Sequence, residues 1–257
     1  MKIVFLGTGG AVPTAVRDNT SFLLESGPEL WLVDCPGSLT QKILKTNRRP
    51  QQVSAIFISH VHADHLYGLP SFIHSLMLEE KTVPLYGSPE TIDFSLRLID
   101  LFGLRREKIL YRLEPRPLLP GCRTEISPGL AVIGWPVPHH SSSLAFIFET
   151  AEARVVYSGD TPLHRPLLEQ AARADCLIHD CSTPFRYLER LPFLRLLHSN
   201  SLELGQAAHE TGIRLLVPCH FFCDLDFSLE EIEAEVRQNY EGPLFLPADF
   251  SELELPL

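Results

Sequence analysis

Four side chains able to bind a metal ion fall within six residues, His60-Val-His62-Ala-Asp64-His65. Imidazole nitrogen and carboxylate oxygen are borderline-to-hard donors that suit zinc, manganese or iron. While the chain stays extended, His60 and His62 alternate and put both imidazoles on one side. Asp64 and His65 follow where the chain can turn, so they can face a different point. One short turn can thus feed two neighbouring ions. Downstream, Trp135-Pro-Val-Pro-His139-His140 offers two more imidazoles, and either can serve as a ligand. Ser158-Gly159-Asp160-Thr161 holds a carboxylate beside a glycine that permits a sharp bend. Pro218-Cys219-His220 brings in a last imidazole.

These residues sit just past short apolar stretches. Ile3–Leu6, Ser21–Leu24, Leu30–Val33, Val53–Ser59, Leu144–Phe148, Arg154–Tyr157, Cys176–Ile178 and Ile213–Val217 read as strands. Ser26-Gly27-Pro28-Glu29 marks a hairpin. Helices are expected over Leu39–Thr46, Leu66–Glu80, from Ser88 to about Phe102, Leu167–Ala174, Ser201–Glu210 and Leu229–Asn239. The segment from Glu107 to Gly134 reads as short strands broken by Pro115, Pro117, Pro120 and Pro128, and another strand is expected near Pro243–Leu246. Paired strands in each half, alternating with helices, imply two mixed sheets packed face to face with helices outside. No linker or composition break appears, so residues 1–257 are expected to form a single domain.

Composition narrows the partners. The chain of 257 residues carries a net charge of −10. That argues against a broad phosphate-binding surface, which rests on clustered Lys and Arg. Six cysteines form no CxxC pair and read as buried thiols. The chain opens on a strand, without a charged-then-apolar signal segment or an apolar run near 18 residues. A cytoplasmic protein without membrane contact is therefore expected.

The motif His60-x-His62-x-Asp64-His65 resembles the signature of the metallo-β-lactamase superfamily. That resemblance implies a four-layer αββα sandwich with the metal site at one edge. It implies that His60, His62 and His139 bind one ion, that Asp64, His65 and His220 bind a second, and that Asp160 bridges them. His139 is selected because the family's ligand sits four residues before a Ser that opens the next strand; His140 is the alternative. Asp34 would support the ligands from behind. Zinc fits best, with manganese or iron as alternatives. Two ions about 3.5–4 Å apart can share a water and lower its pKa toward neutrality, making a bridging hydroxide the nucleophile.

The opening Phe5-Leu-Gly-Thr-Gly-Gly10, then Val12-Pro13-Thr14, Arg17 and Ser21, and Trp31-Leu-Val-Asp34-Cys35, look like those of ribonuclease Z and its phosphodiesterase relatives. Leu177-Ile-His179-Asp180-Cys-Ser182 is similar to their LIHEAT segment, and His198-Ser199-Asn200 to their HST segment. This implies that His198 is a general acid supported by Asp180, with Asp64 acting beside them. Two departures matter. Ala15 replaces the usual basic residue, and the interval from His139 to Asp160 leaves no room for the tRNA-gripping arm. A small or cyclic phosphodiester is therefore preferred as substrate. Nucleic acid, as for a tRNA 3′-processing endonuclease, is the alternative, followed by another ester or a lactone. A homodimer is compatible with the chain.

Overall fold

The computed structural model describes residues 1–255. The chain opens with β1 (Lys2–Gly7), β2 (Ser21–Ser26) and β3 (Glu29–Val33), then α1 (Leu39–Lys45), β4 (Ala55–Phe57), α2 (Ala63–Leu66) and α3 (Leu69–Ser75). It continues through β5 (Lys81–Gly87), α4 (Pro89–Leu101) and β6 (Tyr111–Pro117). The second half holds β7 (Arg123–Ser127), β8 (Leu130–Pro136), β9 (Leu144–Glu149), β10 (Arg154–Tyr157), α5 (Arg165–Ala171) and β11 (Cys176–Asp180). Then come α6 (Tyr187–Arg190), α7 (Ser201–Thr211), β12 (Leu216–Cys219), α8 (Leu229–Val236) and β13 (Glu252–Glu254). Two mixed sheets result, in the orders β13-β1-β2-β3-β4-β5-β6 and β12-β11-β10-β9-β8-β7.

Alternation along each strand feeds two cores. In β1, Ile3 and Phe5 enter the space between the sheets, while Val4 and Leu6 meet the helices outside. Trp31, Phe57, Phe146 and Phe148 fill the intersheet core, with Phe57 edge-on to Phe148 at 5.0 Å. Leu39, Ile43, Leu69, Phe72 and Ile92 cover the first sheet from α1, α3 and α4. Leu167, Leu204, Ala208, Ile232 and Val236 cover the second from α5, α7 and α8. This is the expected αββα sandwich.

Several boundaries differ from the sequence reading. The single helix expected over Leu66–Glu80 is two short ones, broken at Tyr67-Gly68. There the backbone lies against the Pro36 carbonyl, where any Cβ would collide. Pro115 and Pro117 do not break β6. It is an edge strand, where a missing N–H costs no ladder bond. Pro218 likewise lies within β12, the edge strand of the other sheet, and that strand starts at Leu216 rather than Ile213. The expected strand near Pro243–Leu246 is only an isolated bridge between Leu216 and Leu244. The unanticipated β13 closes the first sheet by pairing antiparallel to β1.

Candidate metal centre

Every candidate ligand follows a strand, and both sheets contribute. After β4 the chain runs extended to His62, which caps α2 with φ −65° and ψ 148°. Asp64 and His65 therefore lie in a helical turn, which separates their direction from that of His60 and His62. His139 follows β8, Asp160 follows β10 and His220 follows β12. His220 has φ 65° and Asp34 has φ 58°. At both places a non-glycine residue in the left-handed region turns the chain away from its strand, a form of strain that clusters at functional sites.

Two donor groups result. His60, His62 and His139 form one, and Asp64, His65, Asp160 and His220 the other, with the donor atoms of each group within 4.8 Å of one another. Asp160 Oδ2 lies between them: 3.1 Å from His220 Nε2, 3.3 Å from His65 Nε2, and 3.8 Å from both His60 Nε2 and His139 Nε2. His60 Nε2, His65 Nε2 and Asp160 Oδ1 are buried without a hydrogen-bond partner. Buried polar atoms are rarely left so. A divalent cation is the partner that this donor set fits.

The atoms behind the ligands fix their orientation. Buried Asp34 accepts through Oδ1 from Ser59 N (2.7 Å). Through Oδ2 it accepts from Ser59 Oγ (2.9 Å), His65 Nδ1 (2.8 Å) and Tyr157 Oη (2.9 Å). With Nδ1 engaged, His65 presents Nε2 to the site. Ser59 Oγ also lies 3.0 Å from His60 Nδ1, and the Leu197 carbonyl accepts from His139 Nδ1 at 2.8 Å. Burial lowers the pKa of His60 and of His220 and favours the neutral rings that bind metal. Burial opposes the Asp160 charge, yet His220, His65 and His60 hold its carboxyl well below the usual carboxylate range.

A third cluster joins His139, Asp160 and His198. His198 Nδ1 is 2.8 Å from Asp180 Oδ2, which also accepts from Thr161 N at 3.0 Å. Burial would lower the His198 pKa, but Asp180 outweighs it and raises the pKa to about 9. The structure thus brings together His60, His62, Asp64, His65, His139, Asp160 and His220, with His198 and Asp180 alongside. His140 joins neither group: its ring packs against His62 at 5.3 Å and its Nδ1 lies 2.9 Å from Ser142 Oγ. None of the six cysteines joins a metal-competent group among the described residues. Ser59, Tyr157 and Phe222 were not anticipated; a tyrosine ending an apolar strand beside Ser158-Gly159-Asp160 was the available signal.

A family profile described as "Anti-Pycsar protein Apyc1" matches residues 1–191. The chain belongs to the Apyc1 family. Its relatives include a ribonuclease Z of Methanosarcina acetivorans, 28% identical over 303 residues, spanning all of this chain and 98% of the relative. Among solved structures, the metallo-β-lactamase fold protein YhfI of Bacillus subtilis superposes with a TM-score of 0.81 at 20% identity, covering 98% of each chain. Human tRNase Z, short form, superposes at 0.80 and 21% identity over both whole chains. This Apyc1-family chain is a metal-dependent hydrolase of metallo-β-lactamase fold, in the ribonuclease Z-like branch. No helix among its described residues is long and apolar enough to cross a membrane.

Proposed function

We propose that the chain, acting as one domain over residues 1–257, is a dinuclear metal phosphodiesterase for a small or cyclic phosphodiester. The observation that carries this reading is the His198–Asp180 pair beside the two donor groups. His60, His62 and His139 would hold one ion, Asp64, His65 and His220 the other, and Asp160 would lie between; zinc suits this set, with manganese or iron as alternatives. Bound metal supplies Lewis-acid stabilisation of charge on the reacting phosphoryl oxygens. His198, charged and oriented by Asp180, donates its Nε2 proton to the leaving oxygen. Asp180 keeps that imidazole charged and fixes Nδ1 as the other donor.

Two observations favour a small substrate. The net charge of −10 argues against a broad basic face. Within the interval from His139 to Asp160, where the resemblance would place a tRNA-gripping arm, β9 and β10 are joined by a tight turn in which Thr150 N bonds to Ala153 O at 3.0 Å. The ribonuclease Z relatives support a second reading, tRNA 3′-end cleavage. In line with the first, the alignment to the Methanosarcina relative needs 303 positions for a chain of 257 residues, so the relative carries segments that this chain lacks.

Metal-loaded protein is expected to hydrolyse bis(p-nitrophenyl) phosphate and small cyclic phosphodiesters, and to leave pre-tRNA intact. His198→Ala should cost about 10²–10⁴-fold on substrates with a basic leaving group. Absence of phosphodiester turnover with metal bound would sink the reading, and salt-sensitive cleavage of pre-tRNA would replace it with the second.

A further inference from the structure

Phe222 has no role in the chemistry above, yet it lies against it. Its ring meets His198 at 5.0 Å between centroids and 72° between planes, and His220 at 5.8 Å and 63°. Its place is set by the backbone. Phe222 N donates to Ser182 O at 2.9 Å, and Ser182 N donates to Ser199 O, also at 2.9 Å. One residue, Ser182, therefore spaces Phe222 from the segment that carries His198. On another side Gly10 N donates to Phe221 O at 2.7 Å, and a Cβ added at Gly10 would overlap the Phe222 ring. The ring is thus confined between the Gly10 backbone and the two imidazoles.

The imidazole of His198 has one hydrogen-bonded anchor, Asp180 Oδ2 on Nδ1. One hydrogen bond fixes a point about which the ring can pivot, and packing limits that pivot: His139 meets the ring edge-on at 4.9 Å, His220 stacks on it at 5.5 Å, and Phe222 closes a further side. Such packing is needed to aim Nε2, because a misplacement of about 1 Å can cost 10²-fold. We propose that Phe222, backed by Gly10, is a positioning residue that stops this pivot and keeps His198 aimed at the leaving oxygen. The inference rests on the reading of His198 as general acid and adds to it the wall that orients the acid. Aromatic pairs at these separations and tilts attract one another beyond simple area burial, so the contact is held as well as filled.

Two diesters separate the roles: bis(p-nitrophenyl) phosphate, whose leaving group departs readily as an anion, and diphenyl phosphate, whose leaving group needs the proton more. Phe222→Ala is expected to lower kcat for diphenyl phosphate by about 10-fold, within the range of general-acid catalysis. The loss with bis(p-nitrophenyl) phosphate should be clearly smaller, and KM should shift little. Phe222→Leu, which restores apolar bulk, should recover part of the loss. Gly10→Ala, which drives the ring toward His198, gives the same leaving-group pattern from outside the Phe222 site.

Spectra of histidine labelled with nitrogen-15 in metal-loaded protein read the ring without turnover. Phe222→Ala should broaden or double the His198 signals. Equal losses on both diesters, or an unchanged His198 spectrum, would overturn the proposal. If His198→Ala itself shows no dependence on leaving group, the general-acid reading fails instead. A broadened ring in Phe222→Ala would then still establish the positioning contact.

Discussion

The two donor groups differ in charge, burial and support. The His60, His62 and His139 group contains only imidazoles, and His62 is exposed. The Asp64, His65, Asp160 and His220 group brings two carboxylates, and three of its members are buried. Behind it stands Asp34, whose carboxylate accepts four hydrogen bonds. Opposite charges attract more strongly where water is excluded, so the carboxylate group should hold its ion more tightly. The imidazole group, open to solvent, should exchange its ion more readily. Asp160 Oδ2 is the atom that reaches both.

The largest expected effect would break this contrast. Asp160→Asn removes the charge from the atom common to both groups, so metal should be lost from each. Turnover should fall by about 10²–10³-fold, the scale of deleting a key electrostatic group. Metal titration followed by calorimetry checks it; retention of two tight ions would refute the placement of Asp160 between the groups. Asp34→Asn should sharpen the contrast. It weakens the carboxylate group selectively, because His65 loses its charged anchor, at a cost of about 10–100-fold in affinity. Equal weakening of both ions would show that Ser59, which also touches His60, carries the support instead.

The smallest effect concerns stability. The folded pKa of His198 is raised to about 9, chiefly by Asp180 against the opposing effect of burial. Its contribution is therefore complete below the unfolded value near 6.5 and is lost as pH rises through about 9. It is on the order of 1.5–3 kcal/mol, as for a hydrogen bond to a charged group. Denaturant titrations of metal-free protein should show that loss between pH 6.5 and 9, and Asp180→Asn should flatten it. An unchanged slope in Asp180→Asn would assign the pH dependence to another group.

Much of this was legible in the sequence. The spacing His60-x-His62-x-Asp64-His65 carried the cluster because a strand running into a helical turn leaves few other outcomes. Ser88 before Pro89 and Gly212 after Thr211 carried helix ends: Ser88 Oγ accepts from Thr91 N at 3.1 Å, and Gly212 takes φ 67°. Features that depended on remote contact were not legible. Gly68 turns its N–H to the Cys35 carbonyl, packed against Pro36 where no Cβ fits, and the wall of Phe222 depends on Gly10, more than two hundred positions away. Pro115 and Pro117 read as breakers because edge position is a property of the sheet, invisible along the chain. The resemblance selected His139 over His140, but the contacts that set the two rings, the Leu197 carbonyl on His139 and the Ser142 hydroxyl beside His140, come only from the fold.

The candidate ligands come from both sheets: His60 to His65 follow β4 of one, and His139, Asp160 and His220 follow strands of the other. A cation held there would act as a rivet through the sandwich, resisting any slip of one sheet across its partner. The half-sites would meet only after the aromatic layer between the sheets has closed. Uptake of the ion would then be a late event in folding, and its release an early sign that the halves are coming apart.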